Sequence, residues 1–262
     1  MGRTSRICLA LGALGLLALG AVAADAELVE KKGVIASFEG EISPSRLPRT
    51  TPAPVSVRVA GNVKTTEGVR LPQLRKIAVA INKAGTLYSK GLPTCKVSTI
   101  QPATESVARQ RCGDAIVGDG HVTLVVRLPS QADYISRNNL LAFNGPTRNG
   151  KKLILAQVYS KNPPGAIILT FSVNKHPGTY GNVIETTLPK YAENWAYLTQ
   201  FEMTLGRSYR WHGAQRSFIS AACAAPAGFS GALFPFGKAT YSFAGGQVLS
   251  TKINRSCKVA GE

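Results

Sequence analysis

Alternation of apolar and polar residues with period two recurs along most of this chain. It is clearest at 55–59, 77–81, 122–128, 167–173 and 201–205, and turn sequences such as NPPG and HPG separate the alternating segments. Period two places successive side chains on opposite faces of a strand, and Gly- and Pro-rich turns end strands. The sequence therefore predicts an all-β protein. A β-sandwich is the expected architecture, and a half-open barrel is the second possibility.

The N-terminus has the layout of a secretory signal peptide. Two arginines precede an apolar run over 7–22, and small residues follow it. The run has 16 residues, fewer than the roughly 20 that a membrane-spanning helix needs. We predict a signal peptide over 1–26, cleaved after Ala23 or Ala26, and an exported chain that is extracellular or associated with the outer face of the cell envelope. An uncleaved anchor is the alternative.

Four cysteines remain after the predicted cleavage. An even number of cysteines in an exported chain indicates two disulfides. Three connectivities are possible, of which Cys95 with Cys112 and Cys223 with Cys257 closes the shortest loops. The alternative is a zinc site, but the spacing lacks a C-x-x-C pair, so we predict no metal.

The net charge is strongly positive and evenly spread. The full chain carries +17, and without residues 1–26 it would have 236 residues and carry +16. No run of five basic residues occurs, which favours a solvated basic surface over a nucleic-acid-binding stripe. An exported basic protein meets anionic cell-wall polymers and lipid headgroups first, so these are the expected partners rather than nucleic acid.

The pattern of segments predicts four regions in the exported chain. A lead-in rich in Pro and Arg covers 27–54, with one edge strand over 34–42. A first β unit covers 55–129, a connecting hairpin segment 130–165, and a second β unit 166–262. Within the first unit, TESVARQRC at 104–112 predicts a short helix capped by Thr104, and a helical turn is expected near Lys190–Trp195.

A repeated hexapeptide-like motif raises the possibility of an internal duplication. GNVKTT at 61–66 and GNVIETT at 181–187 each follow an alternating strand and lead through a tyrosine to a cysteine. Either the chain contains two similar β units, each with its own disulfide, or a repetitive β-rich composition produced the match by chance.

Candidate catalytic residues are few. CGDAIVGDGH at 112–121 concentrates Cys, Asp and His, but we interpret it as a disulfide, a turn and a strand. His176 and His212 lie beside turns. Glycosidase chemistry needs two nearby carboxylates, and Glu185, Glu193 and Glu202 form no distinguished pair in sequence. We therefore predict no catalytic residues and no cofactor.

Aromatic residues gather in the C-terminal half. Of 19 aromatic residues, 13 lie between Tyr180 and Phe243. Exposed rings beside cations form sugar-binding surfaces, so a weak candidate ligand surface comprises Arg207, Tyr209, Arg210, Trp211 and His212. The alternative is an aromatic-rich core, since large rings mostly contribute buried area.

The segments PQLRKIAVAIN, GLPTC, LLAFNG, GTYGNV and SFISAACAAPAGF together resemble a group of uncharacterised exported proteins of soil bacteria. The resemblance implies an exported all-β protein and carries over no activity and no residue role. We expect a non-enzymatic binding or envelope-associated protein. The alternative is an exported hydrolase acting on glycans or esters, whose residues meet only in the fold.

Overall fold

The structure, a computed structural model, describes residues 27–189 and 195–261. The predicted signal peptide at 1–26 and residues 190–194 of the predicted helical turn lie outside these ranges. The strands are β1 (Glu27–Lys31), β2 (Val34–Ser43), β3 (Arg46–Leu47), β4 (Ala53–Pro54), β5 (Ser56–Thr65), β6 (Leu74–Asn82), β7 (Gly85–Leu87), β8 (Ile116–Val126), β9 (Tyr134–Asn144), β10 (Lys152–Lys161), β11 (Pro164–Lys175), β12 (Tyr180–Thr187), β13 (Ala196–Leu205), β14 (Ser208–Trp211), β15 (Ala214–Ser217), β16 (Ile219–Ala221), β17 (Gly231–Phe243) and β18 (Val248–Val259). The helices are α1 (Val97–Ile100) and α2 (Glu105–Cys112), with 3-10 turns at Gly113–Ala115 and Ala244–Gly246.

Thirteen of these strands form one sheet, in the order β1-β2-β5-β13-β8-β9-β10-β11-β12-β6-β17-β18-β3. All neighbouring strands run antiparallel except β18 and β3. Strand twist curls so wide a sheet around one face, and here it forms a half-barrel. The all-β prediction is confirmed, and the half-open barrel describes the architecture because the strands share one sheet. Two small sheets, β14-β15 and β4-β16-β7, are separate from it.

The curl brings β2 across the interior onto β17 and β18. The Tyr241 hydroxyl donates to the Ser37 carbonyl at 2.9 Å, and Arg255 Nε donates to the Gly40 carbonyl at 2.6 Å. A Cβ atom at Gly40 would lie 2.3 Å from Cε1 of Phe236. Glycine is therefore required where β2 passes over the Phe236 ring. The two ends of the sheet are joined by side-chain hydrogen bonds rather than by backbone pairing between strands.

The middle of the sheet is buried on both faces. The inner face of β9 and β10 belongs to the main core, while Phe143 and Leu155 on the outer face pack in a second core with Ile100. Buried Gln157 donates from Nε2 to the carbonyls of Ile100 and Ala103 at 2.9 and 2.8 Å. These bonds satisfy carbonyls at the end of α1, which a buried helix end requires.

The predicted helix and the predicted hairpin, which depend on short stretches of sequence, agree with the structure. The predicted helix is α2, and the Thr104 side chain accepts a hydrogen bond from the Val107 amide at 3.4 Å. The predicted hairpin is formed by β9 and β10. The strand predicted over 34–42 is β2, but its assignment as an edge strand is wrong. β2 lies between β1 and β5, because 27–31 adds a further strand outside it.

The two GNV motifs occupy different positions relative to the core. Val63 is buried in the core, whereas Val183 is half-buried and Ile184 takes the buried position in β12. A shift of one residue reverses which side chains face inward. The division into β units at 55–129 and 166–262 stays a prediction about the chain. In the sheet their strands are neighbours, with β5 beside β13 and β6 beside β12.

Two disulfides join Cys95 to Cys112 and Cys223 to Cys257. The first closes the segment that carries α1 and α2, and the second ties the chain after β16 to β18. Both therefore fasten segments that lie over the curled sheet. Paired cysteines of this kind are typical of oxidising compartments outside the cytoplasm.

We expect removal of either disulfide to lower the free energy of unfolding. The sequence separations are 17 and 34 residues, for which the loop-entropy estimate gives losses of about 3 and about 4 kcal/mol. Urea unfolding of C95A/C112A and C223A/C257A, compared with the unchanged protein, measures both. A larger loss for the first pair would contradict the loop-entropy account.

We expect Tyr241→Phe to lower stability by about 1 kcal/mol, the usual contribution of one hydrogen bond. Burial raises the pKa of Tyr241 above its ordinary value. The unfolded chain therefore loses this proton first, and the stability that Tyr241 contributes falls as pH rises above about 10. Between pH 10 and pH 11 the unchanged protein should lose more stability than Tyr241→Phe, by up to about 1.4 kcal/mol. Equal pH slopes in urea unfolding would refute this.

Candidate functional site

The inside of the half-barrel contains an apolar cavity of about 110 Å³. Its wall includes Val57, Val79, Phe171, Phe201 and Phe234, which face inward yet are only half-buried. Well-packed interiors leave few voids larger than a water molecule. These side chains therefore line a space rather than fill a core.

One end of this cavity is covered by the lid sheet, which we define as β4, β7 and β16. Leu87, Ile219 and Ala221 of the lid sheet face the cavity. The lid strands have two or three residues each, so few backbone hydrogen bonds hold them. The Cys223–Cys257 disulfide follows directly after β16 and anchors this end to β18.

A smaller apolar cavity of about 40 Å³ lies next to the larger one. It shares Val122, Leu169 and Leu198 with the larger cavity. The polar side chain in the larger cavity wall, Asn82, is already satisfied. Its Nδ2 donates to the Pro235 carbonyl at 2.9 Å and its Oδ1 accepts from the Ala84 amide at 2.8 Å. The interior therefore suits an apolar group.

The candidate surface at 207–212 lies on the β14–β15 hairpin, and part of it serves packing. Arg207 Nη1 donates to the carbonyls of Gly113 and Ile116 at 3.2 and 3.0 Å, which fixes the 3-10 turn after α2. The Tyr209 hydroxyl donates to the Lys90 carbonyl at 2.9 Å, and burial raises the pKa of Tyr209.

The remaining members of this surface differ in exposure. The Trp211 ring lies against Gly91, where an added Cβ would approach Cδ2 of the ring to 2.2 Å. Arg210 and His212 are exposed. The five residues are thus brought together, but Arg207, Tyr209 and Trp211 already contact protein. A sugar-binding role for this surface stays a prediction.

The carboxylates considered for catalysis are ion-paired on the outer face of the sheet. Glu185 lies 2.7 Å from Lys76 Nζ, and Arg58 contacts Glu202. The hydrogen bond from Arg58 lowers the pKa of Glu202, whereas a general acid needs a raised pKa. Glu193 lies outside the described residues. The pairing of Glu185 and Glu202 with cations gives the hydrolase alternative no support.

The decapeptide at 112–121 is a strand with two close backbone contacts. The Gly-Asp-Gly sequence at 118–120 is a turn signature and predicts the turn of this decapeptide at Asp119. That placement is wrong, since Asp119 lies within β8. A Cβ at Gly118 or Gly120 would lie 2.1 Å from the Thr204 carbonyl oxygen or 2.0 Å from that of Glu202. These two glycines do not form a turn. Because they lack a side chain, the backbone of β13 can pack closely against β8. Cys112 is in a disulfide, and the described chain contains no cluster of three or more His, Cys, Asp or Glu side chains suited to a metal ion.

No protein-family model, curated protein or solved structure matches the chain. Within 27–189 and 195–261, no helix combines the length and apolar character that crossing a bilayer requires. The geometry of the interior is therefore the main guide to function.

The cavity wall was not identified from the sequence, although its residues were. Val79, Val122 and Leu169 belong to the alternating segments, for which period two predicts half-buried strands. Alternation states which residues face the same side of a strand. It contains no information on the distance to the opposite wall, which decides between core and cavity.

We expect Gly91→Ala to destabilise the hairpin contact. Gly91 has a φ of +88°, and its Cβ would overlap the Trp211 ring. Alanine is strained in this left-handed conformation, and its Cβ would displace the ring. The substitution should therefore lower the free energy of unfolding by at least about 1 kcal/mol. Urea unfolding and the tryptophan emission maximum, to which Trp195 and Trp211 both contribute, measure the effect. Gly113→Ala is the control, because a Cβ there meets no atom within 4 Å. Equal stability of the two variants would contradict the packing role.

Proposed function

We propose that this protein is an exported, non-enzymatic binding protein that holds an apolar group of its ligand inside the half-barrel. The observation that carries the proposal is the apolar cavity of about 110 Å³, whose inward-facing side chains stay half-buried. Apolar pockets with few polar groups are the usual form of small-molecule sites. β-Barrels of sufficient width enclose such ligand cavities.

The size of the cavity limits the apolar group. An apolar protein cavity of roughly 150 Å³ stays dry and binds benzene. The cavity here is somewhat smaller, and the second cavity of about 40 Å³ lies beside it. A slender alkyl chain fits a space of this size better than a fused ring system.

An association with the cell envelope is the second part of the proposal. The charge of +16 without residues 1–26 supports attraction to anionic wall polymers and lipid headgroups. The two disulfides support an oxidising location. Release of the protein from envelopes by molar salt, where the screening length is about 3 Å, tests the electrostatic contact.

We expect primary alcohols to bind with an affinity that increases with chain length. Each buried methylene contributes about 0.8 kcal/mol, which is about a fourfold decrease in Kd. Titration calorimetry and thermal stabilisation with the series from butan-1-ol to decan-1-ol measure the trend. The gain should end where the cavity is filled. Absence of binding across the series would refute the apolar site.

Filling the cavity should abolish this binding. Val79 faces the cavity, so Val79→Phe places a ring in the space that the alkyl chain would occupy. Val248→Phe is the matched control, because Val248 is 44% exposed and lies away from the cavity. The control should bind octan-1-ol as the unchanged protein does, and thermal unfolding of both variants verifies folding. Unchanged affinity in folded Val79→Phe would place binding elsewhere.

A further inference from the structure

The wall of the half-barrel is split between β9 and β10. The backbone pairing of these two strands extends from the pair Asn144 and Ile154 to the pair Leu140 and Val158, and it ends there. Beyond this pair, β9 continues along β8, and β10 continues along β11. We call the space between 134–139 and 159–161 the wall gap. It opens as a groove of about 810 Å³.

The wall gap has a polar lining on its inner side. Asn138 pairs with Val122 and Ser136 with Leu124 across the β8–β9 ladder. Directly paired residues point to the same face of a sheet, so Asn138 and Ser136 face the interior. Val122 and Leu124 line the smaller apolar cavity. The wall gap therefore adjoins the apolar interior.

The outer side of the wall gap is cationic. Arg137 and Lys161 line it together with Arg109 and Glu105. Glu105 is engaged by its own neighbours: its carboxylate accepts from Asn139 Nδ2 at 2.9 Å and lies 2.8 Å from Arg109. These contacts and the charge of Lys161 lower the pKa of Glu105.

Arg137 has no such counter-charge. Within the part of the chain that the structure describes, it forms neither an ion pair nor a side-chain hydrogen bond. With Glu105 paired to Arg109, Arg137 and Lys161 leave two positive charges at the outer side of the gap. A guanidinium binds carboxylate or phosphate oxygens through two parallel hydrogen bonds.

We propose that the wall gap binds the anionic head group of a single-chain amphiphile whose alkyl chain enters the apolar interior. Arg137 and Lys161 contact the carboxylate or phosphate. Ser136 and Asn138 line the passage between the head group and the chain. The inference rests on the apolar site proposed above and adds the ligand class and the place of entry.

The alternative position for a head group is the lid end of the cavity. Lys152 lies there, but its Nζ already donates to the Leu87 carbonyl at 2.9 Å. Burial lowers the pKa of Lys152, and Lys175 lowers it further. A bonded cation of this kind is less available to a ligand than Arg137.

The test compares octanoate and octyl phosphate with octan-1-ol, which has the same chain length and no charge. Arg137→Gln and Lys161→Gln should each weaken binding of the two anions by about twofold to fivefold, the upper part of the range for one exposed charge contact. Binding of octan-1-ol should change less than twofold. Arg70→Gln is the control, because Arg70 is exposed in the connection between β5 and β6 and lines neither cavity nor the wall gap, and it should leave all three affinities unchanged. Titration calorimetry at low and high salt measures each affinity.

The outcomes separate the two proposals. If octan-1-ol binds but neither Gln variant changes the octanoate to octan-1-ol affinity ratio, the wall gap is not the head-group site and the apolar site stands. If octan-1-ol fails to bind, the apolar site itself is refuted. Acetate and inorganic phosphate, which lack a chain, should not bind at the same concentrations. Their binding with equal affinity would make the gap a site for free anions and overturn the amphiphile proposal.

Discussion

The contact of β2 with the β17–β18 hairpin is the constraint on which the rest of this structure depends. A sheet of thirteen strands has two edges and a wide apolar inner face to bury. Here the curl buries that face, and Tyr241 and Arg255 hold the two ends together by donating to carbonyls of β2. Because Gly40 has no side chain, the Phe236 ring fits beneath the strand.

The segments outside the main sheet complete the half-barrel in two ways. The α1–α2 segment covers the outer face of β9 and β10 and makes these the most deeply buried strands. The lid sheet covers one end of the interior. Each is fastened by one disulfide, Cys95–Cys112 or Cys223–Cys257. Short helices and strands of two or three residues have little cooperative stability of their own, so covalent attachment compensates for their length.

Charge and apolar surface are separated in this protein, and this separation is the basis of the binding proposal. The carboxylates whose pKa is shifted, Glu105 and Glu202, have lowered values and are bonded to cations on the outer face. The interior is lined by aliphatic and aromatic side chains. An amphiphilic ligand matches this division, because its chain and head group need the two environments side by side. In the proposed complex, the wall gap holds the head group beside the apolar interior.

The sequence by itself determined the class of fold and the local elements. Alternation predicted the strands, Thr104 predicted the start of α2, and the spacing of the cysteines favoured the disulfides that form. These properties depend on residues close together in the chain. Only the tertiary structure decided that β2 is internal, that Asp119 lies in a strand, and that the GNV motifs differ in their orientation to the core. It also decided that Trp211 packs on Gly91 and that Val79 lines a cavity. Each of these features depends on which strands become neighbours and on how far apart the walls of the curled sheet lie. The sequence alone does not give that distance, because a filled core and an open interior show the same period-two alternation.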